Sequence, residues 1–311
     1  MELQRSSAAN APAFVAVDWG TSSFRGWLLT SDGTPIAHSR GSEGMLHSAS
    51  TGFARVLRGH LAKLGASRAL PVLICGMAGA RQGWVEAPYL ETPTRLDALH
   101  ESAVRVNAPG DIRILPGVAQ NSAARPDVMR GEETQIIGAL EQDFSGLVCI
   151  PGTHSKWVRV HGGRIVEFTT YMTGELFSVI AAHSILAHAV DVSGSPARPG
   201  APFHDGLVAA RDPGDLPAAL FRLRAAQLLG YEPRSDGAAR LSGLLIGAEI
   251  AAAAKHYGTK GPLRLLASGD LCSLYEAALA HAGFDVAVID AEHASRRGLS
   301  KAAVSIWKER F

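Results

Sequence analysis

Residues 15–36 read VAVDWGTSSFRGWLLTSDGTPI and residues 147–166 read LVCIPGTHSKWVRVHGGRIV, and the likeness between them decides the fold. Each stretch predicts a strand, a Gly-Thr turn carrying hydroxyl residues, a second strand, and a glycine-containing turn into a third short strand. From one copy to the other, the offset of the Gly-Thr pairs Gly20-Thr21 and Gly152-Thr153 differs by two residues from that of the second-turn glycines Gly33 and Gly163. Side chains alternate along a strand, so a slip of two leaves each residue on its own face. A Gly-Thr-Ser tip lets backbone N–H groups and short hydroxyls come close to an anion, as glycine-rich phosphate-binding turns do. Two such tips facing across a cleft would grip a polyphosphate from both sides.

The rest of the chain sets bounds on this reading. At 311 residues two domains are expected, because single cores stop growing near this length. An apolar fraction of 47%, 19% charged residues and a formal net charge of +1 describe a globular protein and remove the electrostatic case for nucleic acid or an anionic membrane as partner. The most apolar windows, 70–80 and 241–254, are interrupted by glycines or by Glu249 and fall short of a bilayer span. The opening MELQRSSAANAPA has no signal-peptide core, so a cytoplasmic protein with a disordered first dozen residues is expected. Cys75, Cys149 and Cys272 are odd in number, widely spaced and set among apolar residues, which favours small core side chains over a disulfide or zinc site.

Strand-length and helix-length segments alternate from Phe14 onward, which predicts an α/β class. Strands are expected at 14–17, 25–30, 34–39, 72–75 and 112–115, then at 147–150, 156–160, 164–168, 263–267 and 286–288. Helices are expected at 52–64, 94–106, 132–142, 175–190, 216–229, 241–256, 271–280 and 295–309. Residues 191–215 turn rich in Gly, Pro, Ser and Ala and read as a loop or short-helix insertion. The domain junction falls at the 132–142 helix. No two glycines are separated by a single residue and no lysine follows a glycine, so neither a Gly-x-Gly dinucleotide turn nor a Walker-type P-loop exists.

The run Asp18-Trp19-Gly20-Thr21-Ser22-Ser23-Phe24-Arg25 resembles the first phosphate-binding hairpin of the sugar-kinase, actin and heat-shock ATPase superfamily. DWGTSSFR, GMAGARQGW, RGEETQIIGAL, PGTHSKWV, TYMTGELF and ASGDL together resemble, in order and along nearly the whole chain, the 2-dehydro-3-deoxygalactonokinase family. The resemblance implies two RNase H-like α/β domains with an interdomain cleft. One, 1–138 with the C-terminal helix 295–311, would bind the sugar; the other, 139–294, would bind the nucleotide. It implies ATP and Mg²⁺, a small sugar acid as the other substrate, and phosphorylation of the 6-hydroxyl of 2-dehydro-3-deoxy-D-galactonate in galactonate catabolism. A kinase for the gluconate-derived epimer and a non-catalytic, chaperone-like nucleotide-binding module stay open, as does a homo-oligomer.

By the same resemblance, Asp18 would hold a Mg²⁺-bound water, suiting a cation that dehydrates reluctantly. Gly20, Thr21, Ser22 and Ser23 would face phosphates, with Arg25 neutralising charge or fixing the hairpin through an internal ion pair. Glu132 matches the position of the base in related carbohydrate kinases, with Glu133 next in line; alone, the pair reads as acids favouring a helix N-terminus. Adjacent helical residues point about 100° apart, so the two carboxylates do not reach one atom. Gly152, Thr153, His154 and Ser155 form the second tip, and Lys156 begins its return strand within reach of a polyphosphate. Ser268, Gly269 and Asp270 form a strand-to-helix turn for adenine and ribose, a pattern that N-cap chemistry also produces. Arg81 and Gln82 suit the carboxylate and hydroxyls of a sugar acid.

Overall fold

All six residues of the strand Phe14–Trp19 are buried, the mark of a strand covered on both faces. It lies inside a six-stranded sheet ordered Pro35–Gly41, Phe24–Leu29, Phe14–Trp19, Val72–Gly76, Ile112–Ile114, Val104–Arg105. The first three strands are antiparallel neighbours, and Val72–Gly76 and Ile112–Ile114 then run parallel to Phe14–Trp19. The computed structural model describes residues 11–191, 197–211 and 213–311. Residues 1–10 of the segment expected to be disordered, and 192–196 and 212 of the expected insertion, lie outside the described residues.

The chain divides into two units. The first comprises Met1–Phe144, His161–Glu167 and Ala291–Phe311, and the second Ser145–Val160 and Phe168–Asp290. In the first unit, alternation along Phe14–Trp19 sends Val15, Val17 and Trp19 to a core shared with Phe53, Val56 and Leu57 of the helix Phe53–Lys63. Phe14 and Ala16 face the opposite core, closed by Leu299, Ala302, Ala303 and Trp307. The even-numbered face, which includes Asp18, is therefore covered by the C-terminal helix Ala291–Ile306. A small sheet of Asp127–Met129, Gly117–Gln120 and Tyr89–Glu91 completes this unit.

The second unit repeats the strand plan with the end of Arg164–Tyr171 from Phe168 onward, Ser155–His161 as far as Val160, and Gly146–Ile150, then the parallel pair Pro262–Leu266 and Asp285–Ile289. Its core gathers Leu147, Cys149 and Trp157 with Ile246, Ile250, Leu274 and Leu279. The helix Gly237–Tyr257 is long and apolar enough to cross a membrane by length and composition, but most of it is buried inside the protein.

The 94–106 segment, expected as one helix, consists of Thr94–Arg95, the 3-10 helix Leu96–Ser102 and Val104–Arg105. Thr94 and Arg95 pair with Ile165 and Arg164, and Val104 and Arg105 pair with Ile114 and Arg113. Leu96 and Leu99, three apart, are both buried. A 3-10 turn superimposes residues i and i+3, so that spacing satisfies it as well as it would an α-helix. The expected 132–142 helix ends earlier, as Glu132–Ala139.

Candidate active site

In the first unit the site is assembled from the ends of two strands and two helices. Antiparallel register places Arg25 opposite Asp18, and the guanidinium Nη2 donates to Asp18 Oδ2 at 2.8 Å. The buried Ser295 hydroxyl, from Ala291–Ile306, donates to the same oxygen at 3.0 Å. The tip residues Thr21, Ser22 and Ser23 are exposed. The tip is closed by Gly20 N–H donating to Ser23 O at 2.9 Å, and is braced by Met45 N–H donating to Gly20 O at 2.9 Å.

The turn into Glu132–Ala139 requires glycine. Gly131 has φ 108°, in the left-handed region, and the added Cβ would lie 3.4 Å from Gly76 Cα. The helix start is thereby brought against the end of Val72–Gly76, whose Gly76 is itself paired in register with Trp19. Two further glycines let helix backbones touch: a Cβ on Gly138 would overlap Ala294 O, and one on Gly298 would overlap Thr134 O. One helix, Ala291–Ile306, thus fixes both Asp18, through Ser295, and the helix that begins with Glu132.

The two glutamates have different surroundings. Glu132 is partly exposed, and its Oε2 accepts from the Arg130 N–H at 3.1 Å. Glu133 is buried, with its carboxyl oxygens accepting from Gly131 N–H at 2.9 and 2.7 Å and from the Thr134 hydroxyl at 3.0 Å. Burial and then the neighbouring Glu132 charge push Glu133 up to about 8, against these hydrogen bonds. The Cys75 thiol is driven well up by burial and then by Asp18 and Glu133. The thiol is inert core, as expected, and Cys149 is likewise buried and free.

Arg81 and Gln82 are exposed on the turn after Val72–Gly76, with Arg81 Nε 3.5 Å from Glu86 Oε1. Sequence reasoning missed Arg130. This buried guanidinium donates from Nη2 to Ala87 O at 2.8 Å and lies 4.2 Å over the Tyr89 ring, tying the loop that carries Arg81 to the segment before Glu132. A charged residue directly preceding a Gly-Glu helix start was the available signal.

In the second unit Gly152, Thr153 and His154 form an accessible tip, with His154 Nε2 2.5 Å from Glu175 Oε2. Ser155 points the other way: it is buried, its hydroxyl 2.8 Å from Tyr275 OH. Lys156 is also buried, its Nζ 3.5 Å from His154 O. Ser268 donates to Asp290 Oδ2 at 2.7 Å, and Gly269 and Asp270 open the helix Gly269–His281. Behind the tip lies a cavity of about 230 Å³, lined by Gly152, Gly174, Leu245, Asp270, Leu271 and Leu274 among others. Glu249, read from sequence only as a break in an apolar window, is buried behind its wall and accepts hydrogen bonds from Trp157, Thr173 and Tyr275. Burial raises the Glu249 carboxyl, against the opposing pull of those donors.

Two units with one strand plan define the class, the actin-like ATPase and sugar-kinase fold. The (R)-2-hydroxyglutaryl-CoA dehydratase component A of Acidaminococcus fermentans matches with a TM-score of 0.53 at 13% identity, over 96% of this chain and 99% of that one, a likeness of fold alone. Within that class, the chain belongs to the 2-keto-3-deoxy-galactonokinase family, whose profile matches residues 18–302. It is 32% identical over 293 residues to the 2-dehydro-3-deoxygalactonokinase of Escherichia coli (strain K12), covering 94% of this chain and 98% of that protein. A solved Sinorhizobium meliloti structure assigned to the same activity matches with a TM-score of 0.90 at 49% identity, over 94% of this chain and 99% of that chain. The protein is a carbohydrate kinase, and the non-catalytic alternative gives way.

Proposed function

We propose that the chain transfers the γ-phosphoryl group of ATP to the 6-hydroxyl of 2-dehydro-3-deoxy-D-galactonate, a step of galactonate catabolism carried out in the cytoplasm. The observation that supports this reading best is the contrast between the two helix-start glutamates. Glu133 is buried in its own turn, while Glu132 is accessible and has one oxygen oriented by a backbone N–H. On this reading the base is Glu132, and Glu133 holds the turn.

The first unit takes the sugar acid. Arg81 and Gln82 supply donors for its carboxylate and hydroxyls, and Arg130 holds their loop. Glu132 accepts the proton of the attacking hydroxyl as its oxygen bonds to the γ-phosphorus and the bond from that phosphorus to the β,γ-bridging oxygen breaks, releasing ADP. The exposed first tip donates hydrogen bonds to phosphate oxygens. The second unit holds the nucleotide, with the tip Gly152–His154 and Lys156 at the phosphates and the turn Ser268, Gly269 and Asp270, whose Asp270 lines the cavity, at the adenine and ribose. Ser155 supports the tip from behind through Tyr275.

Among the described residues no group of three His, Cys, Asp or Glu side chains is placed to hold a metal. That suits Mg²⁺, which is commonly held by one or two carboxylates together with substrate phosphates and water. Asp18 fits: both of its hydrogen bonds end on Oδ2, so the carboxylate is anchored through one oxygen. Bound there, Mg²⁺ would neutralise charge on the phosphates.

The test is ADP release from ATP against a panel of sugar acids, with the phosphate located on the product by NMR. Turnover that depends on 2-dehydro-3-deoxy-D-galactonate and yields the 6-phosphate supports the proposal. Faster turnover of the gluconate-derived epimer, or a phosphate elsewhere, overturns it.

A further inference from the structure

The cavity of the second unit has a predominantly apolar wall of Phe177, Leu245, Ile246, Leu271 and Leu274. Among its described lining residues, four bear polar side chains: Thr173, Ser242, Asp270 and Tyr275. Two of these are committed elsewhere. The hydroxyls of Thr173 and Tyr275 both donate to Glu249 Oε2, the latter at 2.7 Å, while Glu249 Oε1 accepts Trp157 Nε1 at 2.8 Å. Tyr275 OH is engaged a second time by the buried Ser155, at 2.8 Å. Glu249 is only 3% exposed, so this knot lies behind the wall and draws its hydroxyls inward. Asp270 is exposed and Ser242 is buried, which leaves one enclosed hydroxyl on the wall for a ligand's polar edge.

At about 230 Å³ the cavity is smaller than the roughly 300–1,000 Å³ of a site that engulfs a whole drug-sized ligand. It suits one flat ring system with the remainder of the ligand outside. Apolar walls read such a ring by its faces and outline, whereas its edge is read by hydrogen-bonding groups. The difference is large: hydrophobic pockets separate close analogues by roughly 10–200-fold, and sites built to hydrogen-bond a substrate group by roughly 10⁴–10⁵-fold.

We propose that this pocket selects a purine base by shape and not by its edge, so that GTP and ITP replace ATP as phosphoryl donors. The inference rests on the reading of this cavity as the nucleotide site. Glu249 acts as a positioning residue, keeping the wall apolar by holding the Thr173 and Tyr275 hydroxyls.

The experiment is kcat/KM for ATP, GTP and ITP at saturating sugar acid, in the wild-type protein and in Ser242→Phe, which fills the cavity. Values for GTP and ITP within about 200-fold of ATP are expected, and a preference for ATP beyond that range overturns the proposal. Ser242→Phe should raise the KM of all three nucleotides and leave that of the sugar acid in place; a result of that kind lets the donor ratio alone decide. If a variant with wild-type thermal stability keeps wild-type nucleotide KM values, the reading of the cavity fails, and base selection falls with it.

Discussion

The two hairpins share a strand plan and differ in charge. In the first, Asp18 stands two residues before Gly20, opposite Arg25 in register, and the two form an ion pair. In the second, the residue two before Gly152 is Ile150, buried and opposite Lys156. The basic position across the ladder persists while the acid has become a core side chain. A tip that keeps a cation and lacks the acid suits holding polyphosphate; a tip that keeps the acid suits the place where charge moves and a metal ion is held. On the proposed function one device serves two tasks, and what separates the two copies is a single strand-end residue and the helix that covers it. Asp18 faces Ser295, while the Ile150 strand belongs to the unit built around Glu249.

The widest gap between the two units should appear in turnover. Glu132→Gln is expected to lower kcat by about 10²–10⁴-fold, the range for loss of a general base, with nucleotide affinity within a few-fold of wild type. Steady-state kinetics with calorimetric nucleotide titration checks both halves, and a comparable loss in Glu133→Gln with Glu132→Gln active would move the base by one residue.

Glu133 has a pH signature of its own. It keeps its proton up to about pH 8 when folded against an ordinary value of 4.5, so folding takes up a proton between those limits and stability falls as pH rises through them. Glu133→Gln removes this cost. Relative to wild type, it should gain on the order of a few kcal/mol between pH 5 and pH 8, read by denaturant melts at both values. A pH-independent difference would show that the carboxylate is ionised throughout.

Lys156→Met probes the cation retained in the second hairpin. A rise of about tenfold in the KM for ATP is expected, the size of one lost charge-assisted contact, with the KM for the sugar acid unmoved. Equal changes in both would assign Lys156 to packing. Smaller still, Gly174→Ala should raise the KM for ATP several-fold, because its methyl group would overlap the Gly152 carbonyl and shift the tip. Unchanged KM would mean that the tip tolerates the shift.

The hairpins were legible in the sequence because Gly-Thr turns and buried alternating strands are local signals; Phe14–Trp19 and Gly146–Ile150 lie within a few residues of their expected limits. Glu132 and Glu133 were legible as a helix start. Their unequal burial was not, because adjacent residues of a helix start look alike in sequence and are told apart only by the packing around them. Ser155 reads in sequence as a tip hydroxyl, and only the position of Tyr275, on a distant helix, turns it inward. Glu249 and Arg130 escaped for the same reason: a charged residue in an apolar or glycine-rich run gains its role from partners remote in sequence. Three-residue strands such as Tyr89–Glu91 are too short to carry a period.

The central claim is that the first hairpin acts in chemistry and the second in holding the nucleotide. Asp18→Asn tests it most directly, through its nucleotide Kd and the single-turnover rate at saturating ATP, sugar acid and Mg²⁺. The account predicts a rate lower by about 100-fold, the loss expected when a group that stabilises transition-state charge is removed, with Kd within about threefold of wild type. A weakened Kd with an undiminished saturating rate would contradict it, and would make the first hairpin a second nucleotide grip.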